Sequence, residues 1–244
     1  MCSREASGQI GPSTLKTNTG DWWEHSRALL VKDEAKDEQG LLIDVGCGEA
    51  HVLSDIVEIE DKFLVGVDAW LSPNWELGPN RAFVVADVTK LPFRSGVASV
   101  VISLDVFEHL QNETDCLKEI ARVAAPDALT IVMVPAFESL WSKHDEEVGH
   151  VRRYRRKDVS RLLTESGMQV VKSTYFFMWL VPPAVVRRFA RGYVDDKQSG
   201  SKRMSLIAAK LSKFEALLVR RGVRLPMGTS VLVSARAGKK YRND

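Results

Sequence analysis

Short apolar runs alternate with segments of helical periodicity along most of the 244-residue chain. The apolar runs have the length and composition of strands that are covered on both faces, as in a parallel sheet. Seven runs of this kind are predicted as strands: 41–45, 63–68, 82–88, 97–104, 128–134, 168–177 and 229–235. We therefore expect a seven-stranded sheet whose first five strands are parallel.

The segments between these runs carry apolar residues at helical spacing. The predicted helices cover residues 22–31, 52–59, 113–124, 157–167 and 205–219. Strands alternating with helices predict an α/β fold with a doubly wound, mostly parallel sheet. The sixth and seventh strands are expected to pair as an antiparallel edge hairpin, with a C-terminal helical insertion at about 180–224 between them. Residues 1–20 are polar and predict a flexible tail, and residues 21–244 predict one domain.

The first predicted strand ends in a turn that contains Gly46 and Gly48 and then leads into a helix. Glycine lets the backbone turn sharply and approach a ligand closely, here at the positive end of the helix. The turn therefore predicts a ligand site at the carboxyl end of the strand. A dinucleotide fingerprint would place its third glycine at position 51, which is His51, so the spacing disfavours a nicotinamide oxidoreductase.

Acidic residues end the next two predicted strands. Asp68 lies 20 residues beyond Gly48, the spacing that lets a carboxylate at the second strand reach a ribose diol beside the glycine turn. Asp87 ends the third strand. Aspartates at such positions are also common helix N-caps, which is the structural alternative.

Composition narrows the setting of the protein. Acidic residues outnumber basic ones two to one in residues 1–110, whereas basic residues predominate in 187–244. A basic C-terminal segment suits phosphate, nucleic acid or an anionic membrane surface, or simply solvated helix faces. Three scattered cysteines without C-x-x-C spacing indicate neither a disulfide framework nor a metal site. We expect a cytoplasmic protein, possible membrane-peripheral contact, and no membrane-spanning segment.

The run Asp44-Val45-Gly46-Cys47-Gly48-Glu49-Ala50, the acids Asp68 and Asp87, and residues 104–110 together resemble the class I S-adenosylmethionine (SAM) methyltransferases, in particular the type 11 small-molecule branch. Ala50 stands where the motif has its last glycine. The resemblance covers roughly residues 21–180, and residues 141–154 and 225–230 look like a subgroup of bacterial type 11 proteins.

The resemblance implies the cofactor SAM, with the glycine turn at its methionine part, Asp68 at the ribose and Asp87 at adenine. Asp44 would orient the turn or accept from the amino group. The cofactor-binding residues that it implies are Asp44, Gly46, Cys47, Gly48, Asp68, Ala69, Asp87, Val88, Leu104 and Asp105.

The loop at 135–156 leaves the carboxyl end of the fifth strand, so we expect it to overhang the transferred methyl group. Its titratable and basic side chains suit a general base and an anion clamp. The candidate catalytic residues are His109, His144 and His150, and the candidate substrate residues are Trp23, Trp141, Asp145, Arg153 and Tyr154. No metal is predicted. The apolar stretch 175–186 predicts a lipophilic acceptor pocket, a membrane-interface element or a buried strand end with a core helix.

We therefore predict methyl transfer to a small-molecule or lipid-linked acceptor, with oxygen favoured because of the histidine-bearing loop. A nucleic-acid methyltransferase is the first alternative, suggested by the basic C-terminal segment. Asp105-Val106 stands where an amino-group methyltransferase of nucleic acids would carry Asn/Asp-Pro-Pro-aromatic, which opposes it. A SAM-binding scaffold without turnover is the second alternative. Oligomeric state is left open.

Overall fold

The computed structural model of the protein describes residues 22–56, 62–189 and 202–238. The predicted tail at 1–20 and residues 190–201 of the predicted helical insertion lie outside these ranges. The helices are α1 (Trp22–Ala35), α2 (His51–Ile56), α3 (Glu113–Val123), α4 (Lys143–Val148), α5 (Arg156–Glu165), α6 (Val181–Phe189) and α7 (Lys202–Arg220). The strands are β1 (Gly40–Val45), β2 (Lys62–Asp68), β3 (Arg81–Val85), β4 (Ala98–Leu104), β5 (Ala124–Pro135), β6 (Met168–Phe176) and β7 (Ser230–Ala237).

The seven strands form one sheet in the order β3-β2-β1-β4-β5-β7-β6. Strands β1 to β5 pair in parallel, and β7 pairs antiparallel with both β5 and β6. This confirms the predicted doubly wound, mostly parallel sheet with an antiparallel edge hairpin. The chain winds outward from β1 to β3 and then returns to β4 on the other side of β1. The crevice at this reversal, outside the carboxyl ends of β1 and β4, is where such sheets bind ligands.

Two strand boundaries differ from the prediction by three residues or more. Strand β3 ends at Val85 instead of residue 88, because the Asp87 side chain accepts a hydrogen bond from the Thr89 N–H and folds this segment into a turn. Strand β5 begins at Ala124, immediately after α3, and Ala124 pairs with Ala98 of β4. The predicted helix therefore ends one residue earlier, at Val123.

Helices α6 and α7 lie between β6 and β7 in the chain, as a helical insertion in the edge hairpin. Helix α7 packs on α1 and turns a narrow face inward, on which Ala208, Ser212 and Val219 are buried. The buried carboxylate of Glu215 on the same face accepts hydrogen bonds from the backbone N–H groups of Met178 and Trp179, both at 3.1 Å. Helix α7 thereby holds the short 3-10 turn that follows β6. No helix in the described ranges is long and apolar enough to cross a membrane.

Aromatic side chains join the start of α1 to the end of β6. Trp23 stacks on Phe177 with ring centroids 4.0 Å apart, and Trp22 contacts Trp179 at 5.3 Å. Phe177 is fully buried and adopts a φ of 59°, so the chain turns sharply at the place where this cluster forms. The position of α1 over the sheet is thus set by aromatic packing.

The loop after β5 folds back onto the end of that strand. Tyr154 donates its N–H to the Pro135 carbonyl at 2.9 Å, and the Phe137 N–H donates to the Tyr154 carbonyl at 2.8 Å. These bonds extend the parallel edge by one bridge between Ala136 and Tyr154. The loop is therefore anchored at both ends beside the carboxyl end of β5.

Candidate functional site

The glycine turn after β1 is bound to the end of β2. The N–H groups of Gly46 and Cys47 both donate to the Val67 carbonyl, at 2.8 and 3.0 Å, and the Ala50 N–H donates to the Cys47 carbonyl at 2.8 Å. Gly46, Gly48 and Ala50 have φ values of 79°, 53° and 63°. Ala50 thus takes the left-handed conformation for which glycine is suited, at a cost of roughly 1–2 kcal/mol.

The two glycines of the turn serve different purposes. A Cβ added at Gly46 would lie 2.3 Å from Cγ2 of Val106, which follows β4. A Cβ added at Gly48 would meet no atom within 4 Å. Gly46 is therefore required for packing inside the protein, whereas the Cα of Gly48 faces open space that a ligand could occupy.

The acids that end β2 and β3 are already oriented. Asp68 accepts a hydrogen bond from the Gly48 N–H at 2.8 Å, which ties the carboxylate to the turn. Oδ1 of Asp87 accepts from both the N–H and the hydroxyl of Thr89, at 2.8 and 2.7 Å. The backbone bond from Thr89, followed by the hydroxyl bond, lowers the pKa of Asp87. Both carboxylates lie at the crevice edge of the sheet.

Trp75 is a site residue that the sequence did not reveal. Its indole N–H donates to the Gly48 carbonyl at 2.8 Å, and its ring stacks on Phe83 of β3 with centroids 4.9 Å apart. The indole therefore closes the turn from the β3 side. The available signal was a tryptophan within an otherwise irregular segment rich in proline, glycine and asparagine.

Arg27 on α1 is a second residue that sequence reasoning missed. Its buried guanidinium donates to the carboxylates of Asp105 and Glu24. Burial lowers the pKa of Arg27, but the charges of Asp105 and Glu24 outweigh it, so the net shift is upward. Asp105 itself has a φ of 56°, so the bond to Arg27 holds a strained residue at the end of β4. The sequence signal for the pair of Arg27 and Asp105 was an arginine on the apolar face of a predicted helix.

Asp44 is buried near the end of β1, and burial raises its pKa to about 7. The positive charge of Arg27 acts against this shift, whereas the charge of Asp68 adds to it. Asp44 therefore changes its protonation state near neutral pH. A cationic ligand in the crevice would favour the ionised form.

The loop after β5 contributes a buried carboxylate with many donors. Asp145 accepts from Nδ1 of His150 at 2.8 Å, from Nε and Nη2 of Arg153 at 2.7 and 3.0 Å, and from the Ser142 N–H at 2.8 Å. Burial opposes ionisation of Asp145, but the bonds from His150 and Arg153 prevail and hold its pKa well below the usual range. Asp145 thus orients the His150 ring through Nδ1, and Nε2 of the ring faces away from Asp145.

Nε2 of His150 faces Glu108, which follows β4. The Glu108 carboxylate is 0% exposed, and its Oε1 lies 3.8 Å from that nitrogen. Among the described residues neither oxygen of Glu108 has a hydrogen-bond partner. Burial, and then the charge of Asp105, raise the pKa of Glu108 well above its usual value. Glu108, His109 and His150 are called the histidine cluster below.

His109 completes the histidine cluster. Its ring packs edge-on against His150, with centroids 4.8 Å apart and planes at 71°. Burial, and then the neighbouring His150, lower the pKa of His109 to about 4. The imidazole of His109 is therefore uncharged at neutral pH and offers a nitrogen lone pair.

The structure thus brings two of the three predicted catalytic histidines together. His144 lies on α4, one residue before Asp145, and is half-buried. Trp141 is half-buried after the 3-10 turn at Glu138–Leu140. Tyr154 is only 4% exposed. Their predicted contacts with a substrate stay predictions, as do those of Trp23, Asp145 and Arg153, whose known contacts are all within the protein.

The remaining predicted cofactor residues surround the turn. Leu104 and Val88 are buried, Ala69 is exposed just after β2, and Cys47 is half-buried. Burial, and then the charge of Asp44, raise the pKa of the Cys47 thiol. Cys47 is thus an uncharged packing group at neutral pH, and its backbone N–H is the part that shapes the turn.

Residues 43–132 match the family model described as a methyltransferase domain, of the type 11 group. Norajmaline N-methyltransferase of Rauvolfia serpentina is 32% identical over 152 residues, which cover 54% of this chain and 51% of that protein. Probable tRNA methyltransferase 9B of Homo sapiens is 30% identical over 150 residues, covering 59% of this chain and 31% of that protein. The chain thus spans about a third to a half of the length of these curated relatives.

A solved structure supports the same class at the level of the fold. In the complex between the Haloferax volcanii Trm112 methyltransferase activator and a methyltransferase, one chain superposes with a TM-score of 0.62 at 17% identity. The match covers 91% of this chain and 92% of that one. The family model over residues 43–132 and the shared fold both support a class I SAM-dependent methyltransferase domain.

The different surroundings of the two glycines predict different defects. Gly46→Ala should lower the free energy of unfolding by about 2–4 kcal/mol, because the methyl group overlaps Val106 and the φ value is positive. Gly48→Ala should cost only about 1 kcal/mol, the left-handed strain alone, but should weaken SAM binding at least tenfold. Urea unfolding and calorimetric SAM titration measure the two effects. Equal losses in the free energy of unfolding of both variants would contradict a packing role for Gly46 and a ligand-binding role for Gly48.

The raised pKa of Asp44 predicts a pH-dependent stability. Between pH 4 and 7 the folded state keeps a proton that the unfolded state releases, so the free energy of unfolding falls as the pH rises through this window. Asp44→Asn should therefore be more stable than the parent protein at pH 8, by about 1–3 kcal/mol, and the gain should shrink toward pH 4. Urea unfolding without SAM tests this. Asp37→Asn, at an exposed site just after α1, is the control, and parallel pH profiles for Asp44→Asn and the parent would refute the assignment.

Proposed function

We propose that this protein transfers a methyl group from SAM to a small, lipid-linked acceptor, with oxygen as the methylated atom. The observation that carries the methyl-transfer part is the open space beside the Cα of Gly48, flanked by the oriented carboxylates of Asp68 and Asp87. A turn with no side chain in the way and two acids at successive strand ends suits a nucleoside with a cationic tail. The family model and the shared fold support the same cofactor.

The residues of the crevice would hold the cofactor at three places. Asp68 would accept hydrogen bonds from the ribose hydroxyls, and Asp87 would accept from the adenine amino group. Asp44, buried beside the turn, balances the positive charge of the methionine end. SAM supplies a sulfonium methyl group that is electrophilic without further activation. The protein therefore contributes mainly orientation, by keeping the acceptor atom in line with that methyl group.

The acceptor side of the proposed site is the histidine cluster. Asp105 connects it to the cofactor side, because this residue lies between Leu104 at the end of β4 and the turn that carries Glu108 and His109. The uncharged His109 and the oriented His150 can accept hydrogen bonds from a hydroxyl group. Nothing in this arrangement requires a covalent intermediate with the protein. The two hydrogen-bond acceptors for a hydroxyl group support oxygen as the methylated atom.

The exposed face of α7 supports a lipid-linked acceptor. Leu206 is 63% exposed, Phe214 is 59% exposed and Ile207 is 53% exposed. They lie on the side of the helix opposite the buried residues, together with the exposed Lys210, and the exposed Arg221 directly follows the helix. An apolar helix face with cations among its residues is the pattern of helices that lie in a membrane interface. We propose that α7 brings the protein to an anionic membrane surface, where such an acceptor would be found.

A tRNA is the competing acceptor class, because one of the relatives is described as a tRNA methyltransferase. The cations of α7 suit phosphate as well as lipid headgroups. The exposed leucine, isoleucine and phenylalanine side chains on the same face favour the membrane, since contacts with phosphate do not bury apolar area.

Calorimetric titration of the full chain tests the cofactor. SAM should bind with a micromolar dissociation constant, and Asp68→Ala should weaken it about 10- to 100-fold, because a charged hydrogen-bond acceptor is removed. Asp115→Ala, at a half-exposed position on α3, should bind SAM as the parent protein does. NAD is the competing ligand. Binding of NAD instead of SAM, or of neither, would overturn the proposed function.

Vesicle flotation tests the membrane surface. The protein should bind vesicles that contain phosphatidylglycerol more strongly than pure phosphatidylcholine vesicles, and the double variant Ile207→Ser/Phe214→Ser should lose at least tenfold in affinity. Val171→Ser removes an exposed apolar side chain from β6 and serves as the matched control. Equal binding of the double variant and the parent would refute a role of α7, and salt-sensitive binding to tRNA without vesicle binding would favour the competing acceptor.

A further inference from the structure

We propose that the histidine cluster binds a divalent transition-metal ion that holds the acceptor oxygen. The inference deepens the proposed function and rests on it for the role of the ion, although not for its binding. One ligand atom each from Glu108, His109 and His150 can be chosen so that all three lie within 4.8 Å of one another. Two imidazole nitrogens with one carboxylate form a set that suits Zn²⁺, Fe²⁺ and Mn²⁺ better than Mg²⁺.

The buried carboxylate of Glu108 is the second observation that indicates a ligand. It is 0% exposed, and in the described part of the chain neither oxygen accepts a hydrogen bond. A buried carboxylate without donors is costly unless a cation or a proton lies against it. Nε2 of His150 lies 3.8 Å from Oε1 of Glu108. An ion between Glu108 and His150 would satisfy both groups.

Asp145 prepares His150 for this role. It accepts from Nδ1 of His150 at 2.8 Å, which assigns the proton of the neutral ring to Nδ1 and directs the lone pair of Nε2 to Glu108. A carboxylate behind a ligating histidine is the usual support in metal sites. Arg153 binds the same carboxylate through two nitrogens and keeps Asp145 from competing for the ion.

The spacing needs only a small adjustment. Ligands around a tetrahedral Zn²⁺, with bonds of about 2.0–2.1 Å, lie about 3.4 Å from one another. Glu108 and His150 are near that separation already, at 3.8 Å. His109 has the exposure to move inward by about 1 Å. Three protein ligands leave a position open for an acceptor group.

The open position defines the acceptor chemistry. A hydroxyl group bound to the ion loses its proton to solvent water more readily than a free one. The oxygen then forms a bond to the methyl carbon, the carbon–sulfur bond breaks with its electron pair going to sulfur, and S-adenosylhomocysteine is left. His109 and His150 then act as ligands instead of bases. The acceptor class is a lipid-linked alcohol, phenol or diol.

Binding of Co²⁺ tests the site without any acceptor. The full chain, without an affinity tag and treated with chelator, should bind one equivalent of Co²⁺ with visible absorption bands of a low-symmetry site, and Zn²⁺ should displace it. Glu108→Gln and His150→Gln should each weaken binding 10- to 100-fold. His25→Gln removes a half-exposed histidine on α1 and should leave binding unchanged.

Circular dichroism shows whether a substitution at a buried position unfolds the protein. In that case His109→Gln, which changes a partly exposed ligand, provides the test. No Co²⁺ binding, or binding that all three ligand variants retain, overturns the metal site. SAM titration of the metal-free protein separates the two proposals. SAM binding without Co²⁺ binding refutes only the metal site, whereas Co²⁺ binding without SAM binding refutes the proposed function.

Discussion

The buried ion pair between Arg27 and Asp105 connects the parts of this site. Asp44, Asp105 and Glu24 all place negative charge around one guanidinium, in a crevice where unpaired carboxylates would be costly. The pair joins α1 to the end of β4 and holds Asp105 in a left-handed conformation. The turn that carries Glu108 and His109 follows directly. Both halves of the site, the glycine turn and the histidine cluster, therefore depend on the position of α1.

The position of α1 is in turn set by aromatic packing at the beginning of the helix. Trp22 and Trp23 contact Phe177 and Trp179, which follow β6. Glu215 of α7 accepts a hydrogen bond from the backbone N–H of Trp179 and so holds the turn that carries this residue. The helical insertion in the edge hairpin thus helps to position α1, and through α1 the site, by aromatic contacts. An insertion that packs in this way can support the site with one face and present its exposed face to a membrane or another partner.

Several features of the site were within reach of sequence reasoning, and others were not. The strand-ending acids Asp68 and Asp87 and the glycine turn follow from local pattern, because a parallel sheet brings the ends of its strands to one edge. Sequence reasoning missed Arg27, Trp75 and the proximity of Glu108 to His150. Each depends on contacts between segments tens of residues apart, which no local periodicity encodes. Glu108, His109 and His150 likewise become a cluster only in the folded chain, and the sequence predicted no metal site there.

The sequence by itself determined the alternation of strands and helices, the mostly parallel sheet and the edge at which a ligand binds, because strand length, periodicity and glycine positions are local properties. The tertiary structure alone decided which charges meet. His150 lies 42 positions after Glu108 in the chain, yet a loop anchored by Tyr154 at the end of β5 brings them within 3.8 Å. Burial then determines their chemistry, because exclusion of water is a property of the whole fold and not of any segment.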